Sequence, residues 1–385
     1  KMGNLNNYLK DYDGCGKPCY EIKIKDKKWK PDSIRLKEIS VNLSVDFRAS
    51  MCLLEFFKYD VEVKKNKIGI DNDFSGIKLG EKIEVCLGYK VGKKLSTKSV
   101  FLGYISKYDI KICNDGSTRA VVECMDAKMW MMTGRKTEEK TNCKKYSAVV
   151  SDICNKSMSI LSGKEIKIND EKNLKTSIYQ YEESDYEFLC RIADKCGAMF
   201  FIQSGKLIFK TIESPKFSKL SISTNVNFVK SIQVSADICG IPKSVEVYNI
   251  DEKNFKNTIN SSVGSSDAVG NGKKALDLTK NIGKNNTIRI VDIGISSVDQ
   301  AKSEAQAIFN KCEFGLTNTK VEIAGLPDIK LLDGVKIKKL DDPFNNEYIV
   351  TAIEHHVSNK NVKFAYTTTL TLTANRYNPK TKSII

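Results

Sequence analysis

Hydrophobic residues along this chain change period twice, from two to the helical three-to-four and back again. From about Tyr20 to Met132 the period is two, as in Tyr20-Glu21-Ile22-Lys23-Ile24, Lys82-Ile83-Glu84-Val85-Cys86-Leu87 and Tyr108-Asp109-Ile110-Lys111-Ile112. Turn-forming runs, Asp73-Phe74-Ser75-Gly76 and Asn114-Asp115-Gly116, separate such stretches. Each strand of this kind has one oily face and one wet face, as an antiparallel barrel or sandwich requires.

After Ser147 the period lengthens. Val150, Ile153, Cys154, Met158 and Leu161 recur at helical spacing, and Gly163 is placed as a left-handed cap. A second helix is better marked. Ser184 and Glu187 make a capping box, Phe188, Leu189, Ile192, Ala193 and Cys196 form one apolar stripe, and Gly197 ends it. Arg191 falls on the wetter side of that helix, four residues from Glu187 and placed to pair with it. Met199-Phe200-Phe201-Ile202-Gln203, a Ser204-Gly205 turn and Leu207-Ile208-Phe209 then predict a tight hairpin.

Strands return from Ser221, with Val245-Glu246-Val247-Tyr248 and Thr287-Ile288-Arg289-Ile290-Val291 flanking a stretch rich in Asn, Ser, Gly and Lys. With few apolar anchors, 251–286 reads as an exposed loop or insertion. One more helix is expected after the Ser297/Gln300 box, burying Ala301, Ala305, Ile308, Phe309 and Cys312 before Gly315. Alternation resumes through Val321-Glu322-Ile323, Val335-Lys336-Ile337, Tyr348–Ile353 and Thr369–Thr373. The expected organisation is an N-terminal arm (1–19), a β domain (20–139), a small α+β domain (140–215), a second β domain (216–377) and a tail (378–385). The fold class is α+β, mainly β.

Composition narrows the function. At 385 residues, 41% hydrophobic and 28% charged, the chain can bury two or three ordinary cores. The amino terminus has no apolar signal core and no run reaches the length of a membrane span, so stable membrane insertion is not expected. Lys1 precedes Met2, so the natural start is read as lying upstream. The net charge of +15 raises nucleic acid as a partner, yet only seven of the 62 basic residues are Arg, the side chain suited to bidentate phosphate and guanine contacts. Lysine enrichment beside Asn and Ile reads as an AT-rich genome, and no specific nucleic acid is expected. Most of the twelve cysteines, such as Cys86, Cys124, Cys154, Cys190 and Cys196, sit singly in apolar runs, as core thiols in a reducing compartment do. Cys15 and Cys19 alone have suggestive spacing, but no second close pair completes four zinc ligands; whether they pair or bind metal stays open.

Catalytic signatures are sparse. The two histidines are the neighbours His355 and His356, which point to opposite faces of a strand, so one at most could join a given triad. A G-x-S-x-G elbow and an H-E-x-x-H helix are both missing from the sequence. Glu182, Glu183 and Asp185 are the densest acidic group, but acids at a helix start also suit the helix dipole. Gly270-Asn271-Gly272-Lys273-Lys274 lacks the spacing of a phosphate loop. No catalytic residue, cofactor or metal is assigned.

One stretch is more specific. Tyr179-Gln180-Tyr181-Glu182-Glu183-Ser184-Asp185-Tyr186-Glu187-Phe188-Leu189-Cys190-Arg191-Ile192-Ala193, running into Cys196-Gly197-Ala198-Met199-Phe200-Phe201, resembles the signature of the phage late control protein D family, which includes the hub part of VgrG-type spike proteins. Leu87-Gly88-Tyr89 with Val100–Ile105, and Gly325-Leu326-Pro327-Asp328, Leu332–Val335 and Glu347–His355, are similar to that family's other strands. The resemblance implies two tube-like antiparallel β-barrel domains bracketing the α+β domain, and a homotrimer forming a pseudo-sixfold ring. It implies a structural baseplate hub of a contractile phage tail or a phage-derived injection system, with the tail tube protein, a separate spike protein and other baseplate proteins as partners. Such a protein would be made in the bacterial cytoplasm and assembled into the particle. Tyr181, Ser184, Asp185, Glu187, Phe188, Leu189, Arg191, Ile192 and Gly197 are then folding residues of the motif. The alternatives are a hub that also hydrolyses peptidoglycan, and a nucleic-acid-binding protein.

Overall fold

Alternation in the first part of the chain becomes a run of strands. A computed structural model describes residues 3–5, 12, 15–29, 35–58, 77–113, 117–141, 143–168, 178–212, 220–223, 228–251, 256–263, 269–279, 286–292, 295, 297–340, 344–360 and 363–377. The two turn runs at 73–76 and 114–116 and the tail at 378–385 lie outside these residues. The first strands are β1 (Gly3–Asn4), β2 (Pro18–Ile24), β3 (Lys27–Trp29), β4 (Arg35–Ser44), β5 (Met51–Lys58), β6 (Lys82–Val91), β7 (Lys94–Ile112) and β8 (Thr118–Met125). In β4, Leu36, Ile39 and Val41 point inward; in β8, Ala120, Val122 and Cys124 are buried while Arg119 is exposed. Ile22, Leu54, Phe56, Val85 and Ile105 join them in one core.

A short helix, α1 (Lys128–Met131), then leads to β9 (Lys136–Glu139), α2 (Tyr146–Lys156), β10 (Gly163–Lys167), β11 (Tyr179–Glu183), α3 (Asp185–Cys196), β12 (Ala198–Gln203) and β13 (Lys206–Thr211). Helix α2 is shorter than its spacing predicts. It stops at Lys156, Met158 is exposed in the turn that follows, and Gly163 opens β10 instead of capping a helix. Strands β12 and β13 form a hairpin closed by Ser204 and Gly205, both at positive φ, as a two-residue turn between right-twisted strands requires. Val149, Val150 and Ile153 of α2 and Phe188, Leu189 and Ile192 of α3 bury against Phe200, Leu207 and Phe209 of this hairpin.

The remaining elements are β14 (Leu220–Ser223), β15 (Val229–Ala236), β16 (Ser244–Asp251), β17 (Lys256–Val263), α4 (Ala275–Thr279), β18 (Thr287–Val291), α5 (Val298–Glu313), β19 (Thr317–Ala324), β20 (Gly334–Lys338), β21 (Glu347–Lys360) and β22 (Lys363–Ala374). Strands β16, β17 and β18 make a separate sheet on which α5 lays Ala301, Ala305 and Phe309. Cys312, expected on the buried face of α5, is only half-buried. The stretch 251–286, read as a loop, departs from that reading: Lys256–Val263 pairs antiparallel with β16, and Ala275–Thr279 is helical. Backbone pairing needs no apolar side chain, and an edge strand needs only one partner, so a polar sequence can take this place.

The fold is mainly β with a few helices, but the expected barrels do not close. The main sheet has fourteen strands, in the order β1-β14-β20-β21-β4-β5-β8-β7-β6-β2-β3, with β15, β19 and β22 branching from β21. Closure requires the outermost strands to bond to each other. Among the described residues the path instead ends in the two-residue β1 and the three-residue β3. Strand β21 is the junction. Its first residues pair with β20, its later ones with β4, and its other edge runs along β22. A bulge at Val350–Ala352 marks the change of partner. Among the described residues no helix is long and apolar enough to cross a membrane.

Candidate functional site

The motif stretch forms a helix junction. Ser184, at the N-cap of α3, accepts from the Glu187 amide at 3.2 Å, while the Glu187 carboxylate accepts from the Ser184 amide at 2.8 Å. That reciprocal pair satisfies two of the orphan donors at a helix start. Phe188, Leu189 and Ile192 have no exposed surface. Gly197 ends the helix at φ +61, and a Cβ there would stand 2.8 Å from the backbone of Ala307 in α5. Glycine is needed twice at that point, for the left-handed turn and for the close approach.

The charged residues around α3 are tied to one another. Arg191 makes a bidentate bond to Glu183, 2.8 Å on each branch, donates to the Tyr179 carbonyl and lies over the Phe188 ring. It does not pair with Glu187, because Glu187 is already held by the cap and by Arg135 at 3.1 Å. Asp185 accepts from Lys136 at 2.8 Å and from the Gln180 amide at 3.1 Å, and Glu182 accepts from Thr137 at 2.8 Å. Each member of the acidic group thus has a donor from a neighbouring strand or helix. Tyr181 differs from the rest of the motif, standing 72% exposed on β11.

The histidines occupy opposite faces of β21. His355 is buried, with Nδ1 3.0 Å from both the Thr368 and Tyr366 hydroxyls, and burial lowers its pKa to about 3. His356 faces outward and lies 3.0 Å from Glu38. His355 shares a small cleft with Ser50, Asp126, Gln203 and Lys330. Serine, histidine and aspartate therefore line one cleft, but not as a triad. Asp126 accepts from the Ser50 and Lys128 amides, and the His355 nitrogen that a triad acid would orient is taken by two hydroxyls. Among the described residues no three His, Cys, Asp or Glu side chains are grouped to hold a metal ion, and Cys15 and Cys19 are free thiols. The Gly270–Lys274 run is docked by backbone contacts, with the Asn271 amide on Asn346 and Lys273 bridged to Tyr377.

Two features escape the sequence reading. Lys128 has no exposed surface, and its ammonium donates among the carbonyls of Asp46, Phe47, Arg48 and Phe200 at 2.7 to 3.3 Å. Burial pulls its pKa below the usual lysine range, with Asp126 opposing. In sequence Lys128 is one more lysine among many; the nearby Asp126 is the only signal. The second is a file of rings, Tyr12, Tyr89, Tyr366 and His355, each within 6 Å of the next, crossing from the N-terminal arm to β6, β22 and β21. Tyr12 hydrogen-bonds to Asp328, and Tyr89 to the Gly325 carbonyl.

The family described as the Alg8 N-terminal domain matches residues 18–359. This is a different family from the one that the motif at 179–201 resembles. No curated protein matches the chain. Among solved structures, the 43 kDa tail protein of prophage MuSo2 from Shewanella oneidensis superposes with a TM-score of 0.64 at 14% identity, covering 92% of this chain and 97% of its own. A tail protein from Neisseria meningitidis gives 0.64 at 10% identity, over 93% and 96%. An Escherichia coli protein described as a component of the type VI secretion system gives 0.55 at 10% identity, over 93% and 79%. The chain shares the fold of these proteins over more than nine tenths of its length.

Proposed function

The chain belongs to the family described as the Alg8 N-terminal domain, and with its fold shared along 92% of its length with a phage tail protein, we propose that it is the structural hub of a contractile tail or a related injection machine. The observation that carries this reading is the extent of that match, 92% of this chain and 97% of the tail protein. Both β regions and the intervening helices fall within the stretch that corresponds to one tail protein. The protein is then a non-enzymatic ring component, made in the bacterial cytoplasm and built into the particle.

The finer organisation follows the same reading. The chain divides into an arm at 1–19, β domains at 20–139 and 216–377, and an α+β domain at 140–215, with a tail at 378–385. Three copies make a homotrimeric ring whose two β regions per chain present a pseudo-sixfold face to the tail tube protein and a threefold face to a separate spike protein. Other baseplate proteins pack outside. The motif residues from Tyr181 to Gly197 hold the fold and carry no chemistry; the paired state of Glu182, Glu183, Asp185 and Glu187 supports that assignment.

A density map of the assembled particle tests the proposal: three copies between tube and spike are expected, and any other copy number or position refutes it. A peptidoglycan zymogram of the purified chain addresses the hydrolase alternative. A cleared band abolished by Asp126→Asn would replace the non-enzymatic reading.

A further inference from the structure

Tyr181 belongs to the motif, yet among the described residues its side chain joins none of the hydrophobic cores. Tyr179, two residues before it on β11, is also more than half exposed, while Gln180 between them is buried. Glu139 of β9 lies directly across from Tyr179, exposed and, among the described residues, in no ion pair. Glu182 is exposed too, and its carboxylate accepts only from the Thr137 hydroxyl among those residues. Two large rings thus stand beside two carboxylates that have no cation. Tyrosines placed in this way are the residues that protein interfaces favour.

The complementary chemistry lies at the end of the β6–β7 hairpin. Strand β2 stops pairing with β6 at Tyr89, so residues 90–95 project beyond the sheet. No acidic residue occurs between Glu84 and Asp109. Lys90, Lys93 and Lys94 are exposed and, among the described residues, in no ion pair. Lys90 pairs across the hairpin with Leu95, and Val91 with Lys94, so each face of the tip carries an ammonium beside an exposed aliphatic side chain. Tyr104 of β7 touches the α+β region through the Ile160 carbonyl at 3.0 Å. Leu95 lies nine residues back along that strand, about 30 Å away at roughly 3.3 Å per residue. Among the described residues no hydrogen bond or ion pair joins the tip to β9 or β11 of the same chain.

We propose that the β6–β7 tip of one copy docks on the β9–β11 face of the next, joining copies of this chain head to tail; the inference rests on the hub reading above. A contact between identical patches stops at a pair, whereas a ring of three needs two different, complementary surfaces on every chain. This chain has such surfaces. The tip lysines meet Glu139 and Glu182, an ammonium lies over a tyrosine face, and Val91 or Leu95 covers the ring beside it.

Assembled particles containing the full chain are treated with a carbodiimide, which joins a carboxylate to an amine without a spacer. The wild type should give a two-copy species carrying links from Lys90, Lys93 or Lys94 to Glu139 or Glu182. Lys93→Glu with Lys94→Glu should lower the number of copies built into particles roughly tenfold or more, as should Glu139→Lys with Glu182→Lys, because like charges then face each other. All four substitutions together restore opposite charges and should recover most of that loss, which a misfolded chain would not do. Tyr181→Ser should also lower incorporation. The docking is overturned, with the hub reading intact, if the particle holds three copies and any of the following is found: no such links, lysines linked to tube or spike protein instead, no effect of either reversal or of Tyr181→Ser, or no recovery in the fourfold variant. A chain absent from the particle overturns both readings.

Discussion

A lysine without exposed surface is tolerable only if its ammonium protons all find acceptors, and Lys128 meets this with four carbonyls, three of them from the loop after β4 and one from β12. The same contacts tie the first β region to the hairpin. Lys128→Met leaves those carbonyls and Asp126 without the charge they face, and should cost about 3 to 5 kcal/mol by urea unfolding. Within α3 the ranking is set by burial: Phe188→Ala should cost about 3 to 5 kcal/mol, and Ser184→Ala about 1 kcal/mol. His355 adds an acid-side term. Its folded pKa is depressed to about 3 against an ordinary value of about 6.5, so it stabilises the fold fully above the ordinary value. That contribution is lost as pH falls from there toward 3. Stability measured from pH 6.5 down to 4 should fall less steeply in His355→Gln than in wild type, after allowing for the offset between the two proteins.

At the level of elements, the polar stretch before β18 shows how little side-chain chemistry an edge strand needs. Strand β17 lies along β16 and packs with α5 despite a sequence of Lys256-Asn257-Thr258-Ile259-Asn260-Ser261-Ser262-Val263. Removing Lys256–Val263 should therefore be felt in α5, with faster hydrogen exchange over 298–313 and unchanged exchange in β4, β5 and β8. Equal exchange in α5 would return the segment to the status of a dispensable loop. Gly197 sets how closely α3 and α5 can approach. Gly197→Ala combines a left-handed backbone with a Cβ 2.8 Å from Ala307, and should cost about 2 kcal/mol or more in thermal or urea unfolding.

For the whole molecule the decisive element is β21. Because it pairs with β4 on the one hand and with β20 and β22 on the other, the first and last thirds of the chain share one sheet. The ring file from Tyr12 to His355 crosses the same seam. Such a sheet should unfold as a unit. The two tryptophans report on the earlier part, Trp29 packed on Phe56 and Trp130 on Tyr104. Their fluorescence and the far-ultraviolet strand signal should fall at the same denaturant concentration. Two separated transitions would mean that the β regions are independent despite their shared strand.

Most of the strands, the helices α3 and α5 and the cap of α3 were legible in the sequence because each rests on residues within a few positions of one another: the period of Ile83, Val85 and Leu87, the Ser184 and Glu187 pair, the Ser204-Gly205 turn. What those local signals cannot carry is the choice among distant partners. Arg191 went to Glu183 because the capping box had taken Glu187, β17 became a strand because β16 offered an edge, and the barrels stayed open because β21 divides its pairing between two regions. Lys128 with Phe200, Lys195 with Asp292 and Tyr12 with Asp328 are contacts of the same kind. They depend on which surfaces meet once the strands are paired, and tertiary packing alone determines that.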